Sequence, residues 1–561
     1  MATVTSTRPA DVGLKREMGL IGATWASETS IIGSGWLFGA YFAAQAVGSA
    51  ALICWVIGGV CVLVLALVHA ELGGMYPVAG GTARFPHFAF GSVAGISFGF
   101  FSWLQAVAVA PIECFAVMQY GSYYWHGLYN STKSNVTGLG FVMTIILMAI
   151  FTAINFLAMR LFARVNNVIT WWKVAIPVLA IIVLAFKWHS GNFSAGGGFI
   201  PKGVTWKDIF AAIPGAGIVF AYLGFEQADQ LAGEIKNPQR NLPRAIMLAI
   251  GIGTVIYILL QVVFIAAMDP SLLAHGGFGA IACPATGHCA TNVSQVVDGP
   301  FAAVAGLAGI GTLAIILRLD AFISPFGTGL MYETSTSRVG YGLARNRYFP
   351  QVFQKTDSNG VPWISLILAF VLGLVFLLPF PSWHSLVGLV TSASVLMYAA
   401  APLSLGAFRR QVPEADRPYR MPGAVVLAPL AFVIANMIIY WSGFIVVWKL
   451  AICLVIGYVV IGIFMAFDPL RPKLNWRSAQ WLPVYLLGMG AISWMGNFSG
   501  SSVALVAPKN TGDIPFWWDM LVVAGFSVFI YFWAMAVRLP RNEMMELVGS
   551  QSGTEPDPAV H

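Results

Sequence analysis

Runs of about twenty apolar residues recur along the chain, and each is long enough, at about 1.5 Å per residue, to cross a hydrocarbon layer of about 30 Å. They predict spanning helices over residues 20–48, 51–75, 91–125, 139–158, 168–186, 209–232 and 245–268. Further spans are expected over 301–333, 363–378, 386–408, 425–442, 444–467, 481–496 and 516–537, about fourteen in all. Composition points the same way: 58% of the chain is hydrophobic and 9% charged, against roughly 25% charged in a soluble domain. The expected fold class is an all-α polytopic membrane protein whose surroundings are the lipid bilayer.

The net charge of +7 would raise nucleic acid as a partner for a soluble chain. Here Lys and Arg fall in alternate loops, so no nucleic acid is expected. Residues 1–18 lack the long apolar core and small-residue cleavage site of a signal peptide, so the first span should stay and the N-terminus lie inside. One set of loops then holds Arg160, Arg164, Lys236, Arg240, Arg244, Arg338, Arg345, Arg347, Lys355, Arg409, Arg410, Arg417 and Arg420. Arg471, Lys473, Arg477, Arg538 and Arg541 follow on the same side. Roughly 22 basic residues fall inside and six outside, the bias of a cytoplasmic membrane protein with both termini cytoplasmic. The expected divisions are an N-terminal tail (1–17), a ten-helix core (18–410), four accessory helices (424–538) and a polar C-terminal tail (539–561).

Two spans are interrupted in the middle. The first contains Ile31, Ile32, Gly33, Ser34 and Gly35, and the sixth contains Phe220, Ala221, Tyr222, Leu223 and Gly224. They lie five spans apart, and since five is odd, a second five-helix unit starts from the opposite side of the membrane. Inverted repeats are therefore expected over about 20–187 and 209–408. Open backbone at membrane depth is tolerated where it lines a cavity or binds something. Glycine alone would suggest close helix packing, but two breaks at matching positions point to a site.

Cys54, Cys61, Cys114 and Cys453 lie in apolar helices, where a thiol usually packs. Cys283 and Cys289 share a loop and would bond if that loop faces an oxidising compartment. His69 and His87 are expected near a membrane face, since no further ligand shares their spacing, and neither a metal nor a cofactor is expected.

The quoted segments resemble the amino acid-polyamine-organocation (APC) family of transporters. They are SIIGSGWLFG at 30–39, AELGGMYPVAGG at 70–81, FAYLGFE at 220–226 and EIKNPQRNLPRAI at 234–246. SRVGYGLARNRYFP at 337–350 and RRQVPEADRPYRMPG at 409–423 continue the likeness in family order, over about the first 420 residues. The length and the phrase IGSGWLFG look most like the aspartate/proton symporter branch. The resemblance implies a leucine-transporter-like fold and an amino acid substrate. It places Ser34 and Gly35, with Gly33, on the substrate carboxylate, and the carbonyls of Ile31, Phe220 and Leu223 on its ammonium, with Phe220 closing as a gate. The residues favour the same division, because free NH groups at a helix start suit an anion and free carbonyls suit a cation. Glu28 in the first span, and Arg318 with Asp320 in the eighth, depart from the usual pattern.

Lys173 lies about a third of the way into the fifth span, too deep to snorkel easily. Near the centre a lysine costs about 3 kcal/mol and must find a partner or shed its proton. It is the first candidate for proton coupling, with Thr328 beside it and a first-span carbonyl near Ile32. In similar transporters a lysine here stands in for a bound sodium ion between helices one, five and eight; the other reading is a structural lysine that never titrates. Asp320, Ser324, Thr328, Tyr332 and Thr336 recur every four residues as one polar stripe. Glu113 and Glu226 are costly if buried and could pair with Lys173 or Arg318, tune a gate or carry a proton. A channel would not need paired broken helices, and neither HExxH nor GxSxG is present to suggest an enzyme. The expected activity is secondary transport of an acidic or small neutral amino acid by proton symport. Amino acid exchange, or a non-transporting nutrient sensor, are the alternatives, and oligomeric state is not legible.

Overall fold

The structure is a computed structural model and describes residues 16–130, 133, 135–156, 159–274, 276–283, 289–377, 382–499 and 509–549, with the backbone alone at 159–167. Most of the expected N-terminal tail, the end of the C-terminal tail from 550, and the side chains of Arg160 and Arg164 lie outside the described residues. Helices dominate. The first span is two helices, α1 (Leu20–Ile31) and α2 (Ser34–Val47), and a 3-10 turn at Gly48–Ala50 leads into α3 (Ala51–Met75). Then come the short α4 (Gly81–Phe90), α5 (Ser92–Gly121), α6 (Gly138–Asn155) and α7 (Met159–Ala185). A two-residue hairpin, Tyr129–Asn130 against Asn135–Val136, joins α5 to α6.

The sixth span is in three pieces, α8 (Trp206–Gly215), α9 (Ile218–Tyr222) and α10 (Gln227–Gln230), followed by α11 (Pro238–Ala267). The short α12 (Pro270–Leu273), α13 (Thr291–Asp298) and α14 (Pro300–Leu307) precede α15 (Gly311–Arg345), α16 (Trp363–Leu377) and α17 (Trp383–Gln411). The remaining helices are α18 (Ala424–Trp441), α19 (Phe444–Phe467), α20 (Trp476–Ala479), α21 (Trp481–Met495), α22 (Trp518–Val537) and α23 (Arg541–Gly549). Ten described helical stretches, α2 with α3 counted as one, are long and apolar enough to cross a membrane.

Burial sorts these helices by depth. Every residue of α5 is buried, while α19 leaves Val455, Ile456, Val459 and Ile463 exposed. A row of bare aliphatic side chains suits lipid, and water would not tolerate it. The broken α1 and α2 sit in the middle: α1 packs on α7, α11 and α15, and α2 packs on α9. Helix α15 lies along α5, and α17 joins α5 to α18.

Several expectations are corrected. Arg338 and Arg345 were expected in a loop, but α15 continues through both, and Arg338 is buried with its guanidinium on Glu234 at 2.8 Å. The polar sequence there is helical because its charges and hydroxyls are satisfied inside the protein. The polar tail from 539 begins with a helix, α23, because Met544 and Val548 bury one face. His69 and His87, whatever their depth relative to a membrane face, are buried and hydrogen-bonded: His69 Nδ1 lies 2.8 Å from Asp229, and His87 Nδ1 lies 2.6 Å from the Tyr348 hydroxyl. Cys283 and Cys289 are joined by a disulfide.

Candidate functional site at the broken helices

A helix interrupted at membrane depth leaves carbonyls at one end and NH groups at the other that must find partners. At the end of α1 side chains from three helices supply them. The Lys173 ammonium on α7 donates to the Thr29 carbonyl at 2.5 Å and to the Thr328 hydroxyl oxygen on α15 at 2.7 Å. The Thr328 hydroxyl faces the same Thr29 carbonyl at 2.7 Å, and the Tyr257 hydroxyl on α11 donates to the Ile31 carbonyl at 2.6 Å. The carbonyl that meets Lys173 is thus Thr29, one turn before the Ile32 expected, because α1 keeps its helical bonds through Ile32 N–H to Glu28 O.

At the start of α2 the partner is a carboxyl group. Glu113 on α5 accepts from the Ser34 amide at 2.9 Å through one oxygen and from the Ser34 hydroxyl at 2.9 Å through the other. A cation therefore sits at the negative end of α1 and a carboxylate at the positive end of α2, each where the helix dipole favours it. The Ser34 NH expected to be open to a substrate carboxylate is taken by the protein's own. Gly35 packs against the backbone of α9: a Cβ on it would lie 2.8 Å from the Ala221 Cα.

The second break has its own anchor. Gly224 takes a φ of +123°, a conformation that glycine adopts without strain, and its amide donates to Glu226 at 2.8 Å. Glu226 also accepts from the Tyr398 hydroxyl at 2.7 Å and the Tyr332 hydroxyl at 3.2 Å. Among the described residues neither Glu113 nor Glu226 forms an ion pair with Lys173 or Arg318, contrary to one expectation. Asp320 accepts from the Ser324 hydroxyl at 2.8 Å, one turn along the stripe, all of which is buried. Arg318, which faces the other way, covers the Tyr123 ring at 3.6 Å. Glu28 is fully buried, and among the described residues neither carboxyl oxygen has a hydrogen-bond partner.

Ile31, Gly33, Gly35, Glu113, Phe220, Leu223 and Thr328 converge between the breaks around a tightly closed space with no room for a water molecule. Phe220 closes one side, packed edge-on against Trp383 of α17 with ring centroids 5.7 Å apart. The Trp383 indole NH donates to the Ser34 hydroxyl at 2.7 Å, extending the chain of bonds to Glu113. Sequence reasoning missed Trp383, which carries no signal beyond being one of 19 tryptophans, here at a helix start. It also missed the ion pairs that join the quoted segments. Glu71 holds Arg409 at 2.5 Å and Arg417 at 3.2 Å, as Glu234 holds Arg338. Among the described residues, no group of His, Cys, Asp or Glu is placed to hold a metal ion.

Known proteins with similar sequences are transporters. The profile of the family described as amino acid permease matches residues 18–465. The glutamate/serine transporter AimA of Bacillus subtilis (strain 168) is 35% identical over 532 residues, 93% of this chain and 94% of that protein. The aspartate-proton symporter of the same organism is 34% identical, over 91% of this chain and 94% of that protein. A more distant relative, the large neutral amino acids transporter small subunit 2 of Rattus norvegicus, is 25% identical over 77% of this chain and 75% of that protein. The relatives are permeases and not enzymes. This chain belongs to the amino acid permease family of the APC superfamily.

Proposed function

We propose that the protein carries an acidic or small neutral amino acid across the cytoplasmic membrane together with a proton. On this reading fourteen helices span the bilayer with both termini inside, and the two breaks belong to inverted five-helix repeats. The observation that carries the reading is the occupation of the first break by Lys173 on one side and Glu113 on the other. The names of the two most similar relatives cited, a glutamate/serine transporter and an aspartate-proton symporter, support the substrate class and the coupling ion.

The arrangement suggests how the two cargoes are linked. A substrate carboxylate reaches the Ser34 and Gly35 amides by displacing Glu113, while its ammonium meets the carbonyls of Ile31, Phe220 and Leu223. Two carboxylates cannot both stay charged in so small a buried volume without a strong penalty. Glu113 therefore accepts the transported proton as it gives way. Lys173 holds α1 to α15 through Thr29 and Thr328 until the loaded site closes, and coupling arises from the difference in affinity between the states.

Purified protein in vesicles tests this. Accumulation of labelled glutamate, aspartate or serine in otherwise empty vesicles, driven by an imposed pH gradient, is the expected result. Uptake that requires amino acid already inside would make the protein an exchanger, and binding without flux would make it a sensor.

A further inference from the structure

Away from the breaks, a groove of about 650 Å³ opens where the first turns of α11 meet the segment after α17. Arg240, Pro243, Arg244 and Met247 form one wall, and Pro418 and Tyr419 form the other. The second wall is fixed from behind. Arg417 turns inward to Glu71 at 3.2 Å and donates to the carbonyls of Phe408, Val412, Pro413 and Ala415, which leaves Pro418 and Tyr419 on the groove. Asp416, also at its edge, is already engaged within the protein.

One face of α11 changes character along its length. Exposed positions recur at Arg240, Arg244, Leu248, Gly251, Val255 and Leu259, three or four residues apart, so they form one stripe along the helix. Two cations stand at its start and uncharged, mostly apolar residues follow. From Leu248 to Leu259 the helix rises about 16 Å at about 1.5 Å per residue, close to one leaflet's half of a hydrocarbon core of about 30 Å. The arginines therefore sit at the level of lipid headgroups, with acyl chains beside the rest of the stripe. Four residues apart on a helix they are neighbours, close enough to grip one phosphate, and a guanidinium fork matches phosphate oxygens. Among the described residues neither forms an ion pair, whereas Arg338, Arg409 and Arg417 do.

We infer that the groove is a binding site for an acidic phospholipid, its phosphate held by Arg240 and Arg244 and an acyl chain lying along Leu248, Val255 and Leu259. The bound lipid ties α11 to the segment that Glu71 clasps. Lipid binding here is separate from amino acid transport, so either can fail alone. Delipidated protein in detergent, given dioleoyl phosphatidylglycerol or dioleoyl phosphatidylcholine, tests the site by native mass spectrometry and thermal unfolding. Phosphatidylglycerol should bind and raise the unfolding temperature, and phosphatidylcholine should bind far more weakly. Arg240→Gln and Arg244→Gln should each weaken the phosphatidylglycerol complex about fivefold, whereas Lys236→Gln, just before α11 but outside the groove, should not. All three side chains are exposed, so the variants should unfold at the unsubstituted temperature before lipid is added. Inorganic phosphate should give no protection, because it has no chain to lay along α11. Equal binding of the two lipids, full affinity in the double variant Arg240→Gln with Arg244→Gln, or a loss in Lys236→Gln as large as in the arginine variants would overturn the site. Protection by inorganic phosphate equal to that by lipid would overturn it too.

Discussion

At the scale of single residues the account turns on charges that are buried and satisfied. Replacing Glu113 with Gln keeps an acceptor for the Ser34 amide but removes the negative charge that competes with the substrate. Amino acid affinity should rise about fivefold, the equivalent of about 1 kcal/mol for one charged contact, and binding should lose its dependence on pH. Unchanged affinity in a titration of the purified variant would mean that Glu113 does not contest the substrate's place. Arg338 presents a different case. Glu234→Ala would take away the carboxylate that pairs with its buried guanidinium and leave neutral acceptors such as the Ser337 hydroxyl at 2.9 Å, at a cost of about 3 kcal/mol. Thermal unfolding in detergent should show the loss, and Glu234→Gln should recover part of it. Lys173 beside Thr328 could be read from the sequence, since a deep lysine needs a partner and the eighth span offers a polar stripe. Glu113 on Ser34 could not, because the register between α5 and α2 is a tertiary fact that no local pattern encodes.

At the scale of elements, the breaks are held open by how closely the half-helices approach one another. A methyl group on Gly35 would lie 2.8 Å from the Ala221 Cα and 2.9 Å from its Cβ, so Gly35→Ala should force α2 away from α9. We expect a cost of about 1–3 kcal/mol, seen as a lower unfolding temperature, together with a loss of transport; a variant that melts and transports normally would show that this contact can relax. The glycine-rich breaks were legible because glycine inside an apolar run has few explanations. The length of α15 was not, because SRVGYGLAR reads as a polar loop until Arg338 finds Glu234. Helix α23 escaped for a similar reason: Met544 and Val548 look like stray apolar residues in a tail until one sees what they pack against.

At the scale of the whole molecule the apolar runs were sufficient to define a helical membrane protein, because nothing else buries so much hydrocarbon. They could not say that α3 follows α2 after only the three-residue 3-10 turn Gly48–Ala50, or that segments far apart in the chain meet in buried ion pairs such as Glu71 with Arg409 and Arg417. These clasps lie where α3 meets the segment after α17, remote in sequence from the breaks. The transport reading requires the molecule to alternate between closed forms, with Lys173 fastening α1 to α15 in the one described here. The most direct test compares the unsubstituted protein with Lys173→Ala, measuring equilibrium binding and pH-gradient-driven accumulation on the same purified samples. The account predicts that Lys173→Ala still binds amino acid, because the lysine touches neither the Ser34 amide nor the Ile31 carbonyl, but accumulates none. Undiminished gradient-driven accumulation in Lys173→Ala would contradict it and leave the lysine a structural brace.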